Sequence, residues 1–153
     1  MRAQLVTSLL ALSLLPLATS AGDVSIASTV DGVPQDIQFD LPFSEIGMIA
    51  RADLGGDGVD EYVVSSGALE APQVSLLGSD GSHIATFAPY DETMQSGVTL
   101  ALGDVTGDGM LNIITGTMVG GGPHVRVFDT YGELQHQFFA YAESFTGGVN
   151  VAT

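Results

Sequence analysis

The stretch DVTGDGMLN, residues 104–112, places side-chain oxygens at its first, third, fifth and ninth positions: Asp104, Thr106, Asp108 and Asn112. Gly109 at the sixth position allows a sharp turn, which leaves the carbonyl group of Met110 free to point into the loop. Oxygen donors at alternate positions around such a turn suit a hard cation that takes about six to eight oxygen ligands. Calcium tolerates an irregular cage better than magnesium does, so the loop predicts a calcium site.

A second loop of the same kind lies 51 residues earlier, in the stretch DLGGDGVDE at 53–61. Its donors would be three carboxylates and one main-chain oxygen: Asp53, Asp57, Glu61 and the carbonyl of Val59. The sixth position is again a glycine, Gly58. Both loops therefore have aspartate at positions one and five and an oxygen-bearing side chain at position nine. This likeness favours the binding of the same kind of ion in each loop.

Two other interpretations of these loops compete with calcium. Asp-Gly sequences are ordinary hairpin residues, and a turn whose aspartate binds its own backbone needs no metal. An EF-hand or dockerin-type loop begins in a similar way, but it requires an acidic ligand at position twelve and a helix afterwards. Position twelve is Val64 in the first loop and Thr115 in the second, and the following residues are strand-like. The sequence therefore argues against the EF-hand type and leaves the simple turn open.

The two loops belong to a longer internal repeat. Shifting the chain by 51 residues places 50–64 on 101–115, and the register then holds without a gap to the C-terminus. Further identities in this register are spread along the unit: Pro72 on Pro123, Gly81 on Gly132, Phe87 on Phe138, Tyr90 on Tyr141 and Gly97 on Gly148. We interpret the unit as duplicated.

Each unit contains four short segments that suit strands, which in the second unit are GVTLALG, LNIITGT, PHVRVFD and ELQHQFF. Turns rich in glycine and aspartate separate them, so each unit is predicted to be a four-stranded antiparallel meander. A unit of this size with four strands matches a propeller blade. The predicted fold class is all-β, with four-stranded antiparallel blades of an incomplete β-propeller that holds about two blades and part of another.

The predicted organisation has five parts: a signal peptide at 1–21, lead-in strands or a partial preceding blade at 22–45, blades at 46–96 and 97–147, and the first strand of a further blade at 148–153. The first part combines Arg2, an apolar run and a small-residue cleavage site, as signal peptides do. We therefore expect a secreted or extracytoplasmic protein, in the periplasm or at the cell surface, with no membrane insertion after cleavage. Because the sequence stops within a repeat, we expect a copy cut from a longer protein or an assembly of several chains.

Composition narrows the possible partners and excludes thiol chemistry. The chain has 153 residues, a single-domain size, and its 20 glycines suit short strands joined by tight turns. Its formal net charge is −15, with three arginines and no lysine, which disfavours nucleic acid and anionic membrane surfaces as partners. Cysteine is absent, so disulfide bonds cannot stabilise the exported domain.

Together these features resemble the FG-GAP repeat, the calcium-loop blade of integrin alpha-chain propellers and of many exported bacterial proteins. The resemblance rests on the two Asp/Gly loops and on GGGPHVRVFD, FFAY and FTGGV, and it spans about 46–153. It implies calcium in the loop between the first two strands of each blade, held by the two donor sets named above. The family usually has Asn or Asp where this chain has Gly55 and Thr106, and Asp where it has Asn112. We therefore expect weak sites, near roughly 10⁻⁴ to 10⁻³ M.

Other residues that suggest chemistry are interpreted as structural. His124 and Arg126 share a strand face, but their counterparts are Gln73 and Ser75, so we expect a solvated polar face there. The recurring aromatic residues are expected to form blade-packing core: Phe87, Tyr90, Phe138, Phe139 and Tyr141. The sequence has no GxSxG elbow, cysteine nucleophile or HExxH motif, so no enzyme activity is expected.

The sequence thus predicts an exported calcium-binding β-propeller repeat module for adhesion or for protein or glycan interaction, without catalysis. Its expected partners are an unknown protein or glycan, together with further blades in the same chain or self-association. An alternative is a non-catalytic propeller segment of a longer exported hydrolase or lyase that acts on polysaccharide. A catalytic domain encoded downstream would favour this alternative, whereas further blades followed by an anchor would favour the first hypothesis.

Overall fold

A computed structural model describes residues 23–30 and 33–153. The predicted signal peptide at 1–21 lies outside the described residues. Within them the chain folds into ten strands: β1 (Asp23–Val30), β2 (Val33–Asp40), β3 (Ile46–Ala52), β4 (Glu61–Ser66), β5 (Val74–Leu77), β6 (His83–Phe87), β7 (Val98–Gly103), β8 (Asn112–Thr117), β9 (His124–Phe128) and β10 (Leu134–Phe139). The all-β fold class is confirmed. A search of the same residues for a helix with the length and hydropathy of a membrane span found none.

The strands pair in the order in which they occur along the chain. β1 pairs with β2, β3 to β6 form one four-stranded sheet, and β7 to β10 form a second. Every pairing is antiparallel, so each four-stranded sheet is a meander. The two units predicted at 46–96 and 97–147 each contain one of these sheets.

The two four-stranded sheets share backbone features at an offset of 51 residues. Their second strands, β4 and β8, have bounds that match at this offset. The described residues with positive φ also fall into pairs at the same offset: Gly56 with Gly107, Gly58 with Gly109, Leu69 with Gly120, Gly81 with Gly132, and Gly97 with Gly148. Because positive φ marks where the chain turns most sharply, the two units turn at equivalent places, as duplication predicts.

The two sheets pack against each other over a shared core. Because side chains alternate along a strand, β4 directs Val63 into this core and its neighbours Tyr62 and Val64 to the opposite face. Buried side chains of both units meet between the sheets: Leu54, Val63, Val74, Leu76 and Tyr90 from the first unit, and Val98, Leu100, Ile113 and Phe128 from the second. This apolar layer is the main contact that holds the units together.

Different segments cover the two outer faces. The outer face of the first sheet packs against β2 and the residues after it, through Ile37, Phe39 and Phe43. On the second sheet, Val149 and Val151 of the C-terminal segment pack against the outer face. Residues 148–153 were predicted as a first strand, but they join no sheet in the structure. Among the described residues, this segment makes one backbone bond to the sheet, from Val149 N to the Thr117 carbonyl at 2.8 Å, whereas a ladder needs a run of them.

Tyr90 links the first unit to the second sheet. Its hydroxyl lies 3.1 Å from Thr115 Oγ1 and donates a 2.9 Å hydrogen bond to the carbonyl oxygen of His124. The Arg126 guanidinium lies over the Tyr90 ring, 5.2 Å from its centroid, and donates a 2.6 Å bond to the carbonyl of Pro89. The predicted solvated face at His124 and Arg126 is therefore wrong, because residues of the neighbouring unit partly cover both side chains.

This burial makes Tyr90 a source of pH dependence at high pH. Desolvation raises the pKa of Tyr90 from 10.0 to about 12, although Thr115 and Arg126 act in the opposite direction. Because the folded pKa exceeds the unfolded one, the contribution of Tyr90 to stability is complete below pH 10 and is lost as the pH rises towards 12. We expect an absorbance titration to show a phenol that ionises near pH 12 and is missing in Tyr90→Phe. Identical titration curves for the two proteins would contradict this assignment.

Candidate metal centre

Both Asp/Gly loops connect the first two strands of a four-stranded sheet. The first loop joins β3 to β4, and the second joins β7 to β8. Most of the predicted donors are exposed, so an ion in solution can reach them: Asp57, Val59, Asp104, Thr106, Asp108 and Met110. Asp53 and Glu61 are half-buried, so the first loop is anchored at both ends, whereas burial anchors the second loop only at Asn112.

The aspartate at position one closes each loop by accepting backbone hydrogen bonds. Asp53 accepts bonds from the amides of Gly56 and Gly58, at 2.6 and 2.8 Å. Asp104 accepts the equivalent bonds, at 2.7 and 2.9 Å, from the glycines 51 residues later. All four glycines have positive φ, a conformation that side-chain-bearing residues resist. The glycines therefore let two amides converge on one carboxylate in each loop.

These amides also set the ionisation of Asp104. The hydrogen bond from Gly107, followed by that from Gly109, holds the pKa of Asp104 below its usual value. With a depressed folded pKa, the contribution of Asp104 to stability is present above the unfolded pKa and is lost as the pH falls through the folded one. At neutral pH the side chain is therefore a carboxylate, the form that a cation binds.

The aspartate at position five makes a matching contact in both loops. Asp57 Oδ1 accepts a 2.9 Å hydrogen bond from the amide of Val59, and Asp108 Oδ1 accepts one of 2.9 Å from the amide of Met110. Each bond uses a single carboxylate oxygen of an exposed side chain. The second oxygen of each carboxylate keeps its lone pairs for another donor or for a cation.

The side chain at position nine joins the end of each loop to its start, a contact that was not predicted from the sequence. Glu61 Oε2 accepts a 2.8 Å hydrogen bond from the amide of Leu54. Asn112 Oδ1 accepts the equivalent bond from Val105 at 3.1 Å. Glu61 carries a carboxylate and Asn112 an amide, and what the two side chains have in common is an oxygen that accepts hydrogen bonds. An acceptor oxygen at position nine of both loops is the feature of the sequence that could have predicted this contact.

The donor chemistry of the loops fits calcium, although their carboxylates are not grouped. In the part of the chain that the structure describes, no three His, Cys, Asp or Glu side chains lie close enough together to hold a metal ion. The second loop offers two carboxylates, and its other side-chain donors, Thr106 and Asn112, are neutral. Carboxylate, amide, hydroxyl and carbonyl oxygens are all calcium ligands. The coordination of an ion by these donors stays a prediction.

Two depressions of the described surface lie away from the loops. One, of ≈ 450 Å³, is lined by Met48, Thr99, Met118 and Val149 among others. The other, of ≈ 370 Å³, is lined by residues that include Asp40 and His83. Neither is lined by a member of the two predicted donor sets.

Comparison with known proteins supplies no relative for this chain. No protein-family model matches it, and searches of curated proteins and of solved structures found no match. The interpretation of the loops therefore depends on their sequence and on their geometry.

Proposed function

We propose that this chain is an exported calcium-binding β-propeller repeat module that serves adhesion or protein or glycan interaction and has no catalytic activity. One observation carries the proposal: two loops 51 residues apart make the same four hydrogen bonds around their aspartates and position-nine side chains. The likeness of the sequence to FG-GAP blades supports the same function.

The acidic residue at position five favours calcium over a simple turn. The hydrogen bonds of position one are sufficient to hold a turn together. A second carboxylate four residues away adds like-charge repulsion to that turn at neutral pH. A cation shared by both carboxylates would remove this repulsion, whereas a turn without a metal keeps the repulsion and gains only the one hydrogen bond that the position-five side chain accepts.

Each loop would supply its own set of ligands. In the first loop these are Asp53, Asp57, Glu61 and the Val59 carbonyl. In the second they are Asp104, Thr106, Asp108, Asn112 and the Met110 carbonyl. A bound calcium ion would neutralise the carboxylates and fix the connection between the first two strands of each sheet. The proposed role of the metal is therefore structural.

The charge of the chain supports this role and limits its partners. A formal net charge of −15 creates self-repulsion that bound divalent cations reduce. The same charge opposes binding to nucleic acid and to anionic lipid. A protein or glycan ligand on the exposed loops and sheet faces is consistent with these limits.

Calcium bound to both loops is expected to stabilise the protein by about 1 to 3 kcal/mol at about 1 mM free ion, with dissociation constants in the range of extracellular modules. The measurement is a pair of thermal or urea unfolding curves, one with calcium and one with chelator. Asp57→Asn and Asp108→Asn are each expected to remove part of the calcium-dependent shift.

Asp129→Asn is the matched control for these variants. Asp129 also accepts backbone bonds in a turn, from Tyr131 and Glu133, both at 2.9 Å, but it lies outside both donor sets. Its replacement should lower stability equally in calcium and in chelator. Superimposable curves for the unmodified protein in the two solutions would refute the calcium proposal.

A further inference from the structure

Aromatic side chains are exposed along the last strand of the second sheet and the residues after it. We call this set the aromatic face: Phe138, Phe139, Tyr141 and Phe145. The Tyr141 and Phe145 rings contact each other at 4.8 Å between centroids. Phe138, Phe139 and Tyr141 were predicted as blade-packing core, and that prediction is wrong because all three are exposed. An apolar cluster of this kind is a candidate interaction surface.

The first sheet shows how the equivalent positions are covered. Tyr90, the counterpart of Tyr141, is 6% exposed, whereas Tyr141 is 58% exposed. Phe87, the counterpart of Phe138, packs on Phe128 of the second sheet with ring centroids 4.9 Å apart. The difference arises because the first unit has a neighbouring sheet beside these residues.

The C-terminal segment lies on the second sheet as the start of β7 lies on the first. A Cβ atom at Gly97 would clash with the carbonyl group of Gly67, and one at Gly148 would clash with the carbonyl group of Met118. The two contacts are equivalent, because Gly148 lies 51 residues after Gly97 and Met118 lies 51 residues after Gly67. The segment therefore occupies the place of the first strand of a neighbouring sheet.

We infer that the aromatic face is the docking surface for another four-stranded unit of the same 51-residue pattern, one with threonine and arginine at the positions of Thr115 and Arg126. That threonine would meet the Tyr141 hydroxyl, and that arginine would lie over its ring and donate to the Ala140 carbonyl. Each contact repeats one that Tyr90 and Pro89 make with the second sheet. The inference rests on the blade arrangement in the proposed function, and it does not require calcium.

A second copy of this chain does not offer the required surface. Its Thr115 and Arg126 already receive Tyr90 from its own first unit. The equivalent positions on its first sheet are Val64 and Ser75, which provide neither contact. Ile37 and Phe39 also pack over that face. The partner is therefore a further unit with its own threonine and arginine.

The test extends the full chain by adding a copy of residues 103–153 directly after Thr153. Thr153 is the counterpart of Leu102 in the repeat, so a copy that begins at residue 103 keeps the register. The copied tyrosines are changed to phenylalanine, and the original ones are nitrated with tetranitromethane and located by mass spectrometry. In the extended chain we expect nitration of Tyr141 to fall about tenfold, the ratio of the Tyr141 and Tyr90 exposures. Tyr131 is the internal control, because its counterpart Asp80 remains exposed beside a neighbouring sheet.

Changes confined to the copied unit test the proposed contacts. Thr115→Val together with Arg126→Ser in the copy installs the residues of the first sheet and should restore most of the Tyr141 nitration. Tyr141 that remains as reactive as Tyr131 in the extended chain would overturn the inference, whether or not the added unit folds. Protection of Tyr141 in the unextended chain that grows with protein concentration would also overturn it, because it would assign the face to self-association.

Running the nitration in calcium and in chelator separates this inference from the calcium proposal. Protection of Tyr141 in both solutions, combined with melting curves that are the same with and without calcium, would support the docking surface and contradict the calcium proposal. A melting temperature that rises with calcium, without protection of Tyr141, would support the calcium proposal and contradict the docking surface.

Discussion

Tyr90→Ala is expected to lower the free energy of unfolding by about 3 to 5 kcal/mol, as large-to-small changes at buried aromatic residues do. The substitution removes a ring from the core between the sheets, and with it the phenol hydroxyl beside Thr115 and the ring under the Arg126 guanidinium. Urea unfolding followed by circular dichroism measures the change. We expect the substitution to weaken the packing between the two sheets more than it weakens either sheet.

Tyr141→Ala is the matched control, because it changes the same residue type at the same place in the repeat. Tyr141 is 58% exposed, so we expect a change within about 1 kcal/mol. Equal losses for Tyr90→Ala and Tyr141→Ala would contradict the difference in burial between the two units.

Ile113→Ala is expected to cost about 2 to 5 kcal/mol, since it opens a cavity where the two sheets meet. Ile113 is 0% exposed and belongs to the shared core. Ile84→Ala is the control, because it makes the same substitution at an exposed position. Ile84 on β6 is 54% exposed, so we expect a change of about 0.5 kcal/mol. The same unfolding measurement serves both variants. A small effect of Ile113→Ala would mean that the sheets do not pack as described.

The strands and their order could be predicted from the sequence because their causes are local. Short segments rich in valine, isoleucine and threonine form the strands, and glycines at turns set where the chain reverses. Gly81 and Gly132, for example, have positive φ in equivalent turns. The repeat strengthened the prediction, since each turn could be read twice.

The exposure of the aromatic residues could not be predicted in the same way. Tyr90 and Tyr141 occupy the same place in the repeat, and nothing within one unit distinguishes them. Their burial depends on whether another sheet packs beside them, which is a property of the neighbouring unit. The same reason explains the error at Arg126, whose partners are Tyr90 and the Pro89 carbonyl of the other unit.

The loops were predicted as donor sets, and the structure adds how their backbone holds them. Alternate oxygens and a glycine turn are visible in the sequence. The closing bond from Leu54 to Glu61 is not, because it depends on the path of the chain through the loop. Which oxygens turn towards an ion is likewise decided by the ion together with the loop.

Counting calcium ions tests the account most directly. Isothermal titration of residues 22–153 with calcium should show two weak sites per chain, with dissociation constants near roughly 10⁻⁴ to 10⁻³ M. Asp108→Asn should leave the site of the first loop and Asp57→Asn that of the second, while Asp129→Asn should keep both. Two sites that are lost one at a time in the loop variants are the predicted result. No binding at millimolar calcium, or binding that survives both loop substitutions together, would contradict it.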